Sequence, residues 1–229
     1  MKDVKNVTPD NETFAVPGVS RRRFLGYAGG LAGAGLLIAS CEKENTVTEP
    51  ANVIDLGIND EGLLNLLLVL QQVEADFYKA VLANRYSGMT KLETEYFTDM
   101  EKHEIAHREL LRNYLKSRGS VVTTNFDTVD FSNKRSVLET AELIENQVVA
   151  SMNEISRLLV SVEHVAIVLK MSSLEARHAA TISNMLSVGA YFNTLDATGS
   201  EQGSLPSNTI NTINRFLATK VSGNNLPNK

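Results

Sequence analysis

Two short stretches of the chain, EKHEIAHREL at 101–110 and SLEARHAATI at 173–182, carry the pattern that decides its fold. In each stretch a glutamate precedes a histidine by three residues. Side chains three residues apart lie on the same face of an α-helix, so each pair directs a carboxylate and an imidazole toward one point. The chain has only four histidines, and two of them take part in this pattern. The residues concerned are Glu104, His107, Glu175 and His178.

The two pairs belong to a set of four apolar stripes whose members alternate between steps of three and four residues. This spacing is typical of helices that bury one face in a core. One glutamate interrupts each stripe. In chain order these are Glu74, Glu104, Glu145 and Glu175. In the third stripe Glu142, one turn earlier, competes with Glu145.

The stripes predict four long helices, with boundaries near 60–86, 91–117, 133–160 and 161–187. Asn59 or Asp60 is the expected N-cap of the first helix. The last two share one continuous helical pattern, which we divide near Val160–Ser161 because one helix of that length would measure about 80 Å. Residues 119–133 lack a helical period and predict a long crossover. A short amphipathic helix is expected near 207–220.

The glutamates are also evenly spaced along the chain. Glu104 follows Glu74 by 30 residues, and Glu175 follows Glu145 by the same interval. A shift of 71 residues superposes the first pair on the second and His107 on the second histidine. This repeat indicates two copies of one helical hairpin, related by a pseudo-twofold axis. We prefer Glu145 to Glu142 because only the former keeps the interval.

Four carboxylates in one layer of a core need compensating positive charge. A buried carboxylate without a partner costs several kcal/mol or becomes protonated. No lysine or arginine lies next to these glutamates in the four stripes. Two divalent metal ions would balance the four charges, and glutamates with two Glu-x-x-His motifs are the ligand pattern of di-metal four-helix bundles.

The chain resembles the ferritin-like domain family that includes desiccation-related proteins. The resemblance covers about residues 58–188 and rests on four motifs in order: VEADFYKAVL (73–82), EKHEIAHREL, LIENQVVASM (143–152) and SLEARHAATI. The segment NTINTINRFL (208–217) also resembles one that often ends this family. The resemblance implies an all-α fold: a ferritin-like four-helix bundle with a long crossover between helices two and three and a short C-terminal helix.

The resemblance also implies roles for the six metal-ligand candidates. One metal would be held by Glu74 and His107 and the other by Glu145 and His178, with Glu104 and Glu175 bridging the two ions. Positions left open on the metals would accept O₂ or H₂O₂, and no catalytic side chain is assigned. A carboxylate-rich ligand set suits two iron or manganese ions better than copper or zinc.

The expected function is therefore that of a di-metal carboxylate protein, with iron favoured. Such a protein oxidises Fe(II), or reduces O₂ or peroxide, in iron handling or in oxidative or desiccation stress. Manganese-catalase-like peroxide dismutation and a non-catalytic stress protein with a structural metal site are the alternatives. The sequence leaves homo-oligomerisation open.

Three further residues near the stripes have simpler interpretations. We expect His103 to lie on a solvated flank of the second helix. His164 is expected to be a core histidine with satisfied hydrogen bonds. Tyr78, one turn after Glu74, would pack in the core or donate a hydrogen bond near the metal site.

Charge and cysteine content exclude several other classes of function. The net charge is −5 with a pI of about 5.5, which argues against a nucleic-acid partner. Cys41 is the only cysteine, so intrachain disulfides, cysteine-ligated zinc or iron–sulfur sites and thiol catalysis in the domain are excluded.

The N-terminal part of the chain resembles a twin-arginine lipoprotein signal. SRRRFLGYAGGLAGAGLLIASC (20–41) contains Arg21 and Arg22, a glycine-rich apolar run and a terminal cysteine that would be lipidated. We therefore expect export and a lipid anchor at the periplasmic face or cell surface. The expected organisation is a signal segment at 1–40, a lipidated tether at 41–57, the bundle at 58–188 and a polar tail at 189–229.

If this interpretation of the N-terminus is correct, Cys41→Ser should release the domain from the membrane or leave the precursor uncleaved. Arg21→Lys combined with Arg22→Lys should block export. Membrane fractionation and the mobility of the expressed protein check both variants. Normal cleavage and unchanged membrane association of Cys41→Ser would contradict the lipoprotein assignment.

Overall fold

The structure is a computed structural model that describes residues 52–191 and 200–227. The signal segment, with Arg21, Arg22 and Cys41, lies outside the described residues. Besides two single-turn 3₁₀ helices at Lys116–Arg118 and Asn214–Phe216, the described part contains two short strands and five α-helices. In chain order they are β1 (Ile54–Asp55), α1 (Asn59–Ala83), α2 (Lys91–Leu115), α3 (Lys134–Leu158), α4 (Val162–Leu186), α5 (Pro206–Ile213) and β2 (Val221–Ser222).

The four long helices pack together as the predicted bundle. Helix α1 packs mainly against α2, and α3 packs mainly against α4, so the chain forms two helical hairpins. The segment between α2 and α3 is the long crossover, and α5 is the short C-terminal helix. The all-α fold class predicted from the sequence is confirmed. The strands form a two-stranded parallel sheet in which Ile54 pairs with Val221.

The predicted division between the last two long helices is also confirmed. Helix α3 ends at Leu158 and α4 begins at Val162. Ser161 caps α4, because its hydroxyl accepts a hydrogen bond from the backbone amide of His164. Such caps satisfy amides that have no partner within the helix. The length limit on one helix therefore indicated the break correctly, although no glycine or proline is present.

The N-cap of α1 is Ile58 rather than Asn59 or Asp60, and Asp60 has a different role from the predicted one. It does not cap α1; its carboxylate instead accepts hydrogen bonds from the backbone amides of Val160 (2.9 Å) and Ser161 (2.8 Å) in the α3–α4 connection. His164 Nδ1 lies 2.6 Å from the same carboxylate, and His164 Nε2 lies 2.8 Å from the Tyr114 hydroxyl. His164 is thus half-buried with partners on both ring nitrogens, as expected for a satisfied core histidine.

Helix α1 is surrounded on all sides, so that every residue from Gly62 to Ala75 is buried. The polar residues of this stretch bind the start of the crossover. The Asn65 amide donates to the carbonyl of Arg118 and accepts from the backbone amide of Ser120. Gln72 donates to the carbonyl of Ser120 at 3.0 Å. These contacts fix the crossover against the helix that carries the first glutamate.

The ends of the described domain differ from the predicted tether and polar tail. Leu56 is buried, and β1 is hydrogen-bonded to the C-terminal strand, so residues 54–57 belong to the domain rather than to a tether. The C-terminal segment adds apolar side chains to the same core as the long helices. These are Ile210, Ile213, Phe216, Leu217, Val221 and Leu226. The short helix of the predicted tail is present, but residues 205–226 pack into the core more extensively than a polar tail would.

Within residues 52–191 and 200–227, every helix is too short or too polar to cross a membrane.

Asp60→Ala should lower the free energy of unfolding by about 1–3 kcal/mol, because two backbone amides lose their acceptor. Urea unfolding at pH 7 measures the change. Glu95→Ala is the control: within the described residues this exposed carboxylate pairs with Lys91 alone, so its loss should change stability by less than about 0.5 kcal/mol. Equal stability of Asp60→Ala and wild type would contradict the assigned role.

Candidate metal centre

The structure brings the six predicted metal-ligand candidates together in the middle of the bundle. Each long helix contributes one fully buried glutamate, and the two histidines are 9% and 5% exposed. We call these residues the central cluster: Glu74 on α1, Glu104 and His107 on α2, Glu145 on α3, and Glu175 and His178 on α4. Glu142, the alternative in the third stripe, instead accepts a hydrogen bond from Ser183.

The carboxylates of Glu104 and Glu175 lie between the two histidines. His107 Nδ1 lies 2.8 Å from Glu175 Oε1 and 3.5 Å from Glu104 Oε2. His178 Nδ1 lies 2.7 Å from Glu104 Oε1 and 3.6 Å from Glu175 Oε2. Each of these carboxylates therefore approaches both imidazoles, which is the arrangement that a bridging carboxylate requires.

Two overlapping sets of side chains have the spacing of a metal site. One set is Glu104, Glu175 and His178, and the other is Glu74, Glu145 and Glu175. Within each set the ligand atoms lie within 4.8 Å of one another. Two ligands on opposite sides of one small cation lie about 4.2 Å apart, so each set can surround one ion. Glu175 belongs to both sets and is thus placed to contact two ions.

The predicted division of terminal ligands differs from this grouping. We expected Glu74 and Glu145 on separate metals, each with its own histidine. In the structure both carboxylates lie near Glu175 in one set. Which terminal glutamate serves which metal stays a prediction.

The donor atoms of the central cluster are strongly under-bonded. Several buried oxygens and one ring nitrogen have no hydrogen-bond partner in the described structure: Glu74 Oε1, Glu104 Oε1 and Oε2, Glu145 Oε2, Glu175 Oε2 and His178 Nδ1. Each such buried group costs about 1–3 kcal/mol, and more when it is charged. Lone-pair donors are the groups that a metal cation binds, so these residues fit a metal pair.

The close contact between His178 Nδ1 and Glu104 Oε1 is a further example of buried donor atoms without hydrogen-bond partners. The two atoms lie 2.7 Å apart, yet neither makes a hydrogen bond. Two donor atoms this close together can both bind one cation.

The protein chain by itself distributes charge unevenly over this layer. Burial, together with the neighbouring carboxylates, raises the pKa of Glu74 well above its usual value. Burial also raises the pKa of Glu145. At Glu175 burial opposes ionisation, but the hydrogen bond from His107 and the nearby His178 ring outweigh it and lower the pKa to about 2.

The two histidines show the complementary shifts. Burial alone would lower the pKa of each ring. Contacts with Glu104 and Glu175 outweigh burial and raise the pKa of His107 to about 9 and that of His178 to about 10. Without a metal, protons therefore take over the task of neutralising the carboxylates.

Two side chains on α1 orient these carboxylates. The Gln71 amide donates to Glu74 Oε2 at 2.6 Å and to Glu175 Oε1 at 3.1 Å. Sequence reasoning missed Gln71; its position one turn before Glu74, on the same face of a mostly apolar helix, was the available signal. The Tyr78 hydroxyl donates to Glu145 Oε1 and is buried in the core, so both interpretations given for Tyr78 apply.

The prediction that His103 lies on a solvated flank is wrong. His103 is half-buried, and its Nδ1 lies 3.0 Å from His178 Nε2. The cause is a side-chain contact between α2 and α4, which the pattern within one helix does not show. Desolvation and the neighbouring His178 lower the pKa of His103.

A pocket of about 210 Å³ lies between α2 and α4 beside this histidine pair. We call it the α2–α4 pocket. Its lining includes the exposed Asp99 and Arg177 as well as His103 and the buried His178. It therefore runs from the protein surface to the edge of the central cluster. A larger pocket of about 330 Å³, between α5 and β2, contains none of the cluster residues.

Comparison with known proteins identifies one family. Residues 59–188, more than half of the chain, match the family described as a ferritin-like domain. This range begins with α1 and ends just after α4, so it contains the whole central cluster. A search of curated proteins found no match to this chain.

The shifts predict how the metal-free protein responds to pH. The raised histidine pKa values stabilise the fold below pH 6.5, and this contribution is lost as pH rises towards 9–10. The raised pKa values of Glu74 and Glu145 add destabilisation above about pH 4.5. Among the residues of the central cluster with shifted pKa values, Glu175 acts oppositely, below that pH. The melting temperature of the chelator-treated protein should therefore be lower at pH 9 than at pH 6.

A double variant, Glu74→Gln with Glu145→Gln, separates this effect from general alkaline destabilisation. It should melt higher than wild type at pH 9 in the metal-free state and show a smaller difference between the two pH values. Glu95→Gln, an exposed change on α2, should behave like wild type. A wild-type protein that melts equally at both pH values would contradict the charge distribution described for the cluster.

Proposed function

Since the chain belongs to the ferritin-like domain family, we propose that its central cluster holds two metal ions and oxidises Fe(II) with O₂ or peroxide. The observation that carries the proposal is the set of buried, unpartnered donor atoms contributed by all four long helices. A layer of four fully buried glutamates destabilises the fold unless cations compensate it. A site of this kind is expected to be retained for function rather than for stability.

The donor set favours iron or manganese. It consists of four carboxylates and two imidazoles, and the only cysteine, Cys41, lies outside the described domain. Hard oxygen donors select such ions over copper. Glu104 and Glu175 would contact both ions, and the other four residues of the central cluster would each contact one. When bound, two iron ions would supply two electrons, which with two protons convert peroxide to two molecules of water.

The chain's own residues would prepare the site for this reaction. The Gln71 amide holds the carboxylates of Glu74 and Glu175 in place from α1. The Tyr78 hydroxyl keeps its proton, because burial and the neighbouring Glu145 raise its pKa well above the usual value. This hydroxyl donates a hydrogen bond to Glu145 Oε1. The apolar side chains above and below the cluster exclude bulk water, which strengthens each of these interactions.

The α2–α4 pocket supports a small oxidant rather than a large organic substrate. Its volume of about 210 Å³ is below the roughly 300–1,000 Å³ of most sites for drug-sized ligands. It gives access to the cluster at the side of His178. Oxygen, peroxide or a single metal ion matches this size.

We also propose that the domain works outside the cytoplasm, held to a membrane by a lipid on Cys41. Support comes from the twin-arginine and lipoprotein motifs at 20–41. In that location the protein would oxidise iron or remove peroxide during oxidative or desiccation stress.

Metal analysis of protein purified without chelator tests the proposal. Wild type should contain about two iron or manganese ions per chain, and Glu175→Ala or His178→Ala should contain one or none. A matched pair on α3 controls for general damage. Glu145→Ala should lose metal, whereas Glu142→Ala, one turn away and outside the cluster, should retain it.

Stopped-flow oxidation of added Fe(II) provides the activity measurement. Wild type should oxidise Fe(II) with O₂ or H₂O₂ faster than all three cluster variants. Peroxide dismutation by the manganese-loaded protein, without Fe(II) oxidation, would support the catalase-like alternative instead. Bound metal without turnover would indicate a structural site. Equal metal content in wild type and all variants would contradict the site assignment.

A further inference from the structure

The contact between His103 and His178 gives His103 a role beyond the six cluster residues. We propose that His103 is a positioning residue, which accepts a hydrogen bond from the Nε2–H of His178 and so presents the lone pair of His178 Nδ1 to one metal ion. The proposal rests on the proposed function, since it concerns the same metal pair. It adds a seventh residue that touches neither carboxylate nor metal.

The geometry of the contact requires a hydrogen bond between the rings. His103 Nδ1 and His178 Nε2 lie 3.0 Å apart, and the ring planes differ by only 10°. This is the ordinary distance of a nitrogen–nitrogen hydrogen bond. One nitrogen must therefore carry the proton and the other must offer its lone pair.

The other side of the His178 ring determines which nitrogen donates. His178 Nδ1 faces three carboxylates of the cluster: Glu104 Oε1 at 2.7 Å, Glu175 Oε2 at 3.6 Å and Glu145 Oε1 at 3.8 Å. It is buried and makes no hydrogen bond. A metal bound there requires a lone pair on Nδ1, which places the ring proton on Nε2. His103 Nδ1 is then the acceptor.

Outer partners of this kind matter for metal binding. The hydrogen bond on the second nitrogen of a ligating histidine fixes both its tautomer and its ring orientation. That partner is usually a carboxylate, a carbonyl or a water. Here a second imidazole occupies the position, and it also lines the α2–α4 pocket.

The sequence repeat shows that this feature belongs to one half of the bundle only. The 71-residue shift that superposes His107 on His178 places His103 on Leu174. A leucine side chain has no hydrogen-bonding atom. The two halves therefore differ at this position, so the two metals should differ in affinity, and loss of His103 should affect only one of them.

Four variants test the proposal through zinc binding, which needs no turnover. His103→Leu copies the residue of the other half and removes the acceptor. His103→Asn retains an acceptor oxygen near the position of Nδ1. Leu174→Ala is the control, because it changes a residue of the same pocket that cannot accept a hydrogen bond. His103→Ala serves as a second acceptor-free variant if the leucine variant does not fold.

Competition with a chelator measures the affinity for Zn(II). His103→Leu should weaken the binding of one of the two zinc ions by roughly 10–100-fold and leave the binding of the other unchanged. His103→Asn should restore most of this loss, and Leu174→Ala should match wild type. Nitrogen-15 NMR of the zinc-loaded wild type should show the His178 proton on Nε2 with the downfield proton shift of a hydrogen-bonded N–H, and His103→Leu should lose that shift, a signature that a merely structural role for His103 would not predict.

The outcomes separate this inference from the proposed function. Wild type that binds two zinc ions, together with His103→Leu of equal affinity, would overturn the inference alone. The inference would also be overturned if the asparagine variant bound zinc as weakly as the leucine variant, or if His178 carried its proton on Nδ1 in the zinc-loaded protein. Wild type that binds no zinc, iron or manganese would overturn the proposed function itself.

Discussion

The structure depends on one constraint: four glutamates are buried in a single layer of an apolar bundle. Such carboxylates repel one another and lose the hydration that they have in the unfolded chain. Each long helix supplies one of them, so the four helices cannot rotate or slide independently without breaking the layer. Protons on Glu74 and Glu145 and charges on the two histidines relieve the repulsion partly in the protein by itself. Two divalent cations would relieve it fully.

The rest of the fold can be understood as support for that layer. Helix α1 carries Glu74 and is enclosed by the other helices, the crossover and the C-terminal segment, which accounts for its burial on all sides. Asn65 and Gln72 bind the crossover to it, and Asp60 binds the α3–α4 connection. Gln71 reaches from the same helix to two carboxylates. A rigid first helix thereby holds several ligands in register.

Sequence patterns were sufficient for the features that repeat within a helix. The apolar stripes predicted all four long helices. The 30-residue interval selected Glu145 over Glu142, and the structure places Glu145 in the cluster. Contacts between distant elements were not readable in this way. Asp60, Gln71 and His103 act across helices, and one helix alone gives no sign of its neighbour. The C-terminal segment seemed polar because its buried residues, such as Ile213 and Phe216, are separated by asparagine, threonine and arginine.

The most direct measurement of the central claim is anomalous X-ray diffraction from crystals of the iron-loaded protein. The account predicts two anomalous peaks among the four buried glutamates, about 3.5–4 Å apart, as in other two-metal sites. Both peaks should lie beside Glu104 and Glu175, and one should lie against His178 Nδ1. Crystals that show no anomalous peak in this layer, with the glutamates bonded to one another or to water, would contradict the account.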